Sequence, residues 1–178
     1  MSRIAPVDLK QPPEHAAEFL GAVKAQLGGV PNFYRVIAHS PTASGAYANM
    51  LGALEQGQLD PMLRERIAIA IATRNDCDYC LAAHALGGKM AGLSAEEIAS
   101  ARRFEASSTK DAAALAFVAA AMDEIGGITD AKLDAARSAG WSDGELIEMI
   151  AHIALNQMTN TINRLAETVI DMPKYEEE

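Results

Sequence analysis

Helix starts and stops follow one another so closely along this chain that a bundle of short α-helices is the architecture it can build. Pro12 and Pro13 open one helix, and the glycines at 28 and 29 close it, because proline suits a first turn and glycine the residue just past a last one. VPNFYRVIAHSP, residues 30–41, reads as a short helix between prolines, and a small-residue helix runs from Pro41 to about Gly57. Leu59-Asp60-Pro61 then supplies an N-cap and a first-turn proline for a helix ending near Thr73. Arg74-Asn75-Asp76 breaks the pattern, with Asp76 placed to cap a new helix from Cys77. Two later starts share one design, Gly92-Leu93-Ser94 with Glu97-Ile98 and Gly140-Trp141-Ser142 with Glu145-Leu146. In each, a glycine ends one helix, a Ser-to-Glu capping box starts the next, and Leu93–Ile98 or Trp141–Leu146 forms a hydrophobic staple. Helices near 109–125 and 129–139 fill the interval, and a long one runs from Ser142 to about Ile170, leaving the tail PKYEEE frayed and solvated.

About 7 to 9 helices are therefore expected, in an all-α, antiparallel bundle. Composition agrees: 49% of residues are apolar but only 5% aromatic, and β-branched alternation is scarce. A chain of 178 residues suits one domain, 1–178, with an N-terminal helical arm over about 1–58 and a core over about 59–170. The net charge of -9 would repel a phosphate backbone or an anionic bilayer, which argues against a nucleic-acid or membrane partner. MSRIAPVDLK lacks the order of a signal peptide, and the longest apolar run, Ala112 to Met122, is too short to span a bilayer, so a cytoplasmic protein is expected.

The chemistry concentrates in RNDCDYCLAAHALGG, residues 74–88, which holds both cysteines. On one helix, Cys77, Cys80 and His84 share a face. If the chain reverses near Asn75, Glu65 on the preceding helix reaches the height of His84, so a carboxylate can meet an imidazole one turn from a thiol. Thiols in a first helical turn are favoured as thiolates by unpaired N–H groups and the helix dipole. His84 can relay the proton, while Glu65 holds the ring's tautomer. A thiolate beside a second thiol can be oxidised by a peroxide to a sulfenic acid and resolved as a disulfide. Rival readings use the same residues. A covalent haem site is discarded because Leu81-Ala82-Ala83 separates Cys80 from His84, and a thioredoxin fold because a helix, not a strand, precedes the cysteines. Zinc held by Cys77, Cys80, His84 and Glu65 stays open, as do two inert buried thiols.

The run ERIAIAIATRNDCDYCLAAH, Glu65 to His84, resembles the signature of the AhpD-like alkylhydroperoxidases in the carboxymuconolactone decarboxylase superfamily. GGVPNFYRVIAHSP, residues 28–41, and NTINRLA, residues 160–166, resemble the opening segment and closing helix of its peroxidase-related branch. The resemblance implies an AhpD-like all-helical fold, assembly into trimers or hexamers, and a cofactor-free, metal-free hydroperoxide reductase. Its substrate would be a hydroperoxide, and its disulfide would be reduced by a dithiol partner, a thioredoxin-like or lipoyl protein. Carried over by position, it makes Cys80 the attacking thiol, Cys77 the resolving thiol, and Glu65 and His84 the proton relay. Spacing alone leaves the order of the cysteines open. The best-known member has a histidine between its cysteines, where this chain has Asp78-Tyr79, placing a negative charge between the thiols. The superfamily's other branch suggests an alternative, a non-redox lactone decarboxylase or isomerase with Glu65 and His84 as acid and base, but that branch typically lacks the cysteine pair.

Tyr79, beside the thiols, is either a substrate-pocket residue or a packing tyrosine. Trp141 is read as a staple, the methionines as core filler or oligomer contacts, and His15, His39 and His152 as surface or satisfied core histidines. Asn156, Asn160, Asn163 and Arg164 make the last helix unusually polar, and buried amides there need partners. Glu148, Asn160 and Asn163 also repeat the offsets of Glu65, Cys77 and Cys80, which suggests two helical hairpins of similar build.

Overall fold

A computed structural model describes residues 2–175 and builds them into helices joined by short loops, with no strand among the described residues. In chain order these are α1 Glu14–Leu27, α2 Asn32–Ile37, α3 Pro41–Glu55, α4 Pro61–Arg74, α5 Asp78–Ala91, α6 Ala95–Ala101, α7 Thr109–Asp123, α8 Asp130–Ser138 and α9 Asp143–Ala166. Both Ser-to-Glu capping boxes form, at Ser94–Glu97 and Ser142–Glu145. Trp141 and Leu146 share one core cluster, Leu93 and Ile98 another, and the indole N–H of Trp141 donates to the Lys110 carbonyl at 2.8 Å. None of the helices among the described residues is long and apolar enough to cross a membrane.

Helix α4 is the centre of the molecule. Its run Ile67–Ala72 is buried on every side, which is why LRERIAIAIA shows little amphipathic periodicity: a helix apolar all round belongs in a core. Helices α5, α9, α6 and α7 pack around it. Arg66, the one charged side chain this centre buries, meets Glu97 of α6 at 2.6 Å and Asp111 of α7 at 3.5 Å. Such pairing is needed, because a buried guanidinium without a carboxylate partner would be costly.

The N-terminal segment packs closely on the rest. Phe33, Tyr34 and Tyr47 stack edge-on at centroid distances of 5.1–5.9 Å, and Phe33, Tyr47 and Leu54 join the apolar cluster that contains both cysteines. The C-terminal segment returns over this end of the bundle. Asp171 accepts from the Asn32 backbone at 2.8 Å and from the Tyr79 hydroxyl at 3.0 Å, and the Asn32 amide donates to the Val169 carbonyl at 2.9 Å.

Three expectations need correction. The helix after the break starts one residue later than its sequence pattern predicts: Cys77 is the N-cap, while Asp76 adopts a left-handed conformation (φ 49°) that turns the chain. The similar offsets of Glu65/Cys77/Cys80 and Glu148/Asn160/Asn163 do not mark a repeat. The first set spans two helices across a turn, whereas α9 runs unbroken from 143 to 166. The tail is not wholly solvated either, since the Tyr175 ring lies 5.0 Å beneath the Arg102 guanidinium; Glu176–Glu178, the end of the expected frayed segment, lie outside the described residues.

Candidate active site

Cys77 and Cys80 are joined as a disulfide, with their Cα atoms 5.3 Å apart and both residues buried. As N-cap, Cys77 does with sulfur what serine usually does with oxygen: its Sγ accepts the Cys80 backbone N–H at 3.3 Å. Cys80 Sγ accepts a different donor, the side-chain amide of Asn163 in the last turn of α9, also at 3.3 Å. In this oxidised form neither sulfur is a thiolate, and among the described residues no group of three His, Cys, Asp or Glu side chains is arranged to hold a metal ion.

The reversal at Asn75 brings α4 and α5 antiparallel, and the height argument from spacing holds: Glu65 Oε2 lies 2.9 Å from His84 Nδ1. With Nδ1–H given to the carboxylate, Nε2 is left to carry the lone pair, a tautomer set by the hydrogen-bond network. Gly87 makes room for this pair. A Cβ at that position would sit 3.0 Å from the Glu65 carboxylate. Both side chains remain partly open to solvent, at 26% for Glu65 and 32% for His84, so the pair can exchange protons with a bound molecule.

Glu65 and His84 open into a cleft of about 190 Å³ between α3, α4, α5 and α9. Its apolar side includes Leu51 and Leu54 of α3, Ala68 of α4 and Leu155 of α9, and its polar side includes Asn156 and Thr159 of α9. The volume falls below the roughly 300–1,000 Å³ of drug-sized sites, which suits a small ligand. Tyr47 of α3 also lines it; burial pushes this phenol above its ordinary range, so it enters the cleft protonated. The sulfurs lie one helical turn beyond. Cys80 follows His84 toward the start of α5, and Asn163 follows Thr159 toward the end of α9.

Tyr79 does not line this cleft. Its hydroxyl accepts the Phe33 backbone N–H at 3.1 Å and donates to Asp171, and burial raises its pKa, so it ties α5 to the start of α2 and to the C-terminal segment. It faces a separate depression on the Cys77 side, with Asp76, Asp78 and Glu167 at its rim. Of the remaining histidines, His15 is exposed and the His39 ring is 2.8 Å from the Ala5 carbonyl. His152 is buried, has no partner for Nε2, and lies 3.9 Å from Glu148. Composition and spacing missed Tyr47, for which the sequence carries no local signal. The polar run on α9 is only partly satisfied: Asn156 Nδ2 donates to the His152 carbonyl at 2.9 Å, and Asn75 Nδ2 donates to Gln157 at 2.9 Å and to Asn160 at 3.0 Å, whereas Asn160 Nδ2 and Asn163 Oδ1 are buried without a partner among the described residues.

Residues 41–124 match the model of the carboxymuconolactone decarboxylase family. No curated protein sequence matches the chain. Among solved structures, an AhpD-core, peroxidase-related protein from Ralstonia eutropha JMP134 superposes with a TM-score of 0.83 at 23% identity, covering 99% of this chain and 93% of that one. A peroxidase-related protein from Silicibacter sp. TM1040 gives a TM-score of 0.79 at 22% identity over 94% of this chain and 92% of that one. The debrominase Bmp8, as a Cys→Ala variant in complex with 2,3,4-tribromopyrrole, gives 0.78 at 18% identity over 96% and 92%. These likenesses establish an AhpD-like fold.

Proposed function

With residues 41–124 matching the model of the carboxymuconolactone decarboxylase family, we propose that the chain is a thiol-dependent hydroperoxide reductase of the AhpD-like, peroxidase-related kind. The observation that carries this reading is the disulfide at the start of α5, one turn from a histidine hydrogen-bonded to a glutamate. In the reduced protein the Cys80 thiolate attacks the terminal oxygen of the hydroperoxide. An S–O bond forms, the O–O bond breaks, and the alkoxide leaves as alcohol with a proton relayed by His84 and Glu65. Cys77 then attacks the Cys80 sulfenic acid, forming the S–S bond and releasing water. A dithiol partner, thioredoxin-like or lipoyl, restores the thiols and becomes a disulfide itself. The cleft lined by Tyr47, Leu51 and Leu155 supports a small organic hydroperoxide as substrate. A cytoplasmic setting, where such reductants are maintained, and a trimeric or hexameric assembly belong to the same proposal.

Intact-mass spectrometry after one equivalent of peroxide tests it. The reduced parent is expected to lose two hydrogens as the disulfide closes, and the Cys77→Ser protein to gain one oxygen at Cys80. A Cys77→Ser protein that gains no oxygen sinks the assignment of Cys80, and recycling trials with thioredoxin, glutathione and dihydrolipoamide identify the reductant class. The Glu65–His84 hydrogen bond also suits acid–base chemistry without redox, as in a lactone decarboxylase or isomerase. Turnover unchanged in a protein lacking both cysteines would replace the peroxidase reading with that one.

A further inference from the structure

Asn163 is the one side chain that donates a hydrogen bond to either sulfur among the described residues. It is 5% exposed, its Nδ2 points at Cys80 Sγ, and its Oδ1 is buried with no partner. Neither half of this arrangement makes sense for the oxidised protein alone. A disulfide sulfur is a weak acceptor, so a buried amide N–H gains little from it, and an unpaired buried carbonyl costs free energy. Both halves make sense if the amide is built for the reduced protein, where one sulfur is an anion and the other carries a hydrogen.

We propose that Asn163 is a catalytic residue that sets the ionisation of the pair, its amide N–H holding Cys80 as thiolate and its carbonyl accepting the thiol hydrogen of Cys77. The inference rests on the thiol-peroxidase reading for its biological use, though not for its chemistry. Reduction by a dithiol balances accordingly: the reductant becomes a disulfide, and the protein gains one Cys77 S–H, one Cys80 thiolate and a released proton. The same donor serves both halves of the cycle. It readies Cys80 to attack a peroxide, and it stabilises Cys80 as the leaving thiolate when the reductant attacks Cys77.

The fold fixes the amide in place from both ends. Behind it, Asn75 at the α4–α5 turn bonds to Gln157 and Asn160, which locks the register of α9 against the start of α5. Ahead of it, Thr168 N–H returns to the Asn163 backbone carbonyl at 3.1 Å as Glu167 takes a left-handed conformation (φ 49°), closing the helix directly after the functional turn. Competing influences on Cys77 are mixed: the helix start favours an anion there, whereas Asp76 and Asp78 beside it disfavour one. Arg164 and Glu167 at the end of α9 face the same depression with opposite charges. On the far side, His84 and Glu65 stand one turn along from Cys80, and Tyr47 approaches from α3. All these groups are retained when only Asn163 is changed.

The test reads thiolate absorbance near 240 nm against pH in single-cysteine proteins, with and without Asn163→Leu. In the Cys77→Ser background, Asn163→Leu is expected to raise the Cys80 midpoint by about one to two pH units, the strength of one hydrogen bond to a charged acceptor. The parent Cys80 midpoint is expected to lie below that of Cys77, measured in the Cys80→Ser protein. An unchanged Cys80 midpoint, or a lower midpoint for Cys77, overturns the proposal. Circular dichroism establishes that each variant is folded, and Asn163→Asp, nearly isosteric, carries the same test with a larger upward shift if the leucine protein does not fold. Because no peroxide enters the titration, a shift without peroxidase activity defeats the functional reading alone, and activity without a shift defeats this inference alone.

Discussion

Two carboxylate–histidine pairs stand near one cleft, made of the same residue types and doing different work. Glu65 and His84 come from separate helices, lie 2.9 Å apart and stay partly exposed. Glu148 and His152 share α9, lie 3.9 Å apart and are nearly closed off from solvent, at 11% and 6%. The Glu148 carboxylate is already engaged, accepting the backbone N–H groups of Gln58 at 2.8 Å and Leu59 at 3.0 Å, so it closes the loop before α4 instead of orienting an imidazole. Burial lowers the His152 pKa despite the neighbouring carboxylate, and holds the ring neutral. What separates the proposed proton relay from a structural clasp is thus the competition for the carboxylate and its access to water.

Removing the charge of each glutamate should pull the two pairs apart most strongly. Glu65→Gln is expected to lower peroxide turnover by about 10²–10⁴-fold, the usual contribution of a positioned acid–base group, with little change in melting temperature. Glu148→Gln leaves one of two backbone donors facing an amide NH₂; it should cost about 1–3 kcal/mol in denaturant unfolding and leave turnover per folded molecule intact. If both variants lose activity alike at unchanged stability, the distinction between relay and clasp fails.

Each carboxylate is also faced by a glycine, which permits a finer test. A Cβ on Gly57 would overlap the Glu148 carboxylate, which its two backbone donors hold in place, so Gly57→Ala should destabilise the fold by about 1–3 kcal/mol. At Gly87 the Cβ would meet the Glu65 carboxylate at 3.0 Å, and the glycine lies within α5. Gly87→Ala is therefore expected to preserve or slightly raise stability through helix propensity while lowering turnover several-fold as Glu65 shifts from His84. Chemical denaturation and steady-state rates on both proteins check the contrast.

The smallest expected effect is the pH dependence contributed by His152. Its folded pKa lies below the unfolded value of about 6.5, so the unfolded chain binds a proton that the folded one refuses as the pH falls. Stability from this group is complete above about pH 6.5 and is lost on acidification below it. Denaturant midpoints of His152→Leu should accordingly fall less between about pH 7 and pH 5 than those of the parent. Parallel curves would show that His152 is not held neutral.

Much of this was legible in the residues themselves. The Ser-to-Glu boxes at 94–97 and 142–145 and the Asp60-Pro61 start announced their helices because a cap is satisfied within a few residues of itself. Cys80 and His84 share a face for an equally local reason, and Glu65 reached His84 because a short turn leaves an antiparallel hairpin little freedom of register. The break at 74–76 was visible, yet the cap fell on Cys77 instead of Asp76, since sulfur can accept an N–H and Asp76 is needed for the turn. Tyr79 was ambiguous for want of its partner: the neighbours that engage it, Phe33 and Asp171, are 46 and 92 residues away.

The amides of α9 mark the boundary between the two kinds of information. Sequence alone determined that Asn160 and Asn163 lie one turn apart on a helix and would be short of partners if buried, because both facts follow from helical spacing and from hydrogen-bond inventory. That Asn160 meets Asn75, and that Asn163 meets Cys80, 83 residues away, was decided only when α9 docked against α4 and α5. Helical periodicity assigns each side chain a direction, but the crossing of two helices distant in sequence depends on how the whole core packs, and only that packing determines which direction meets a sulfur.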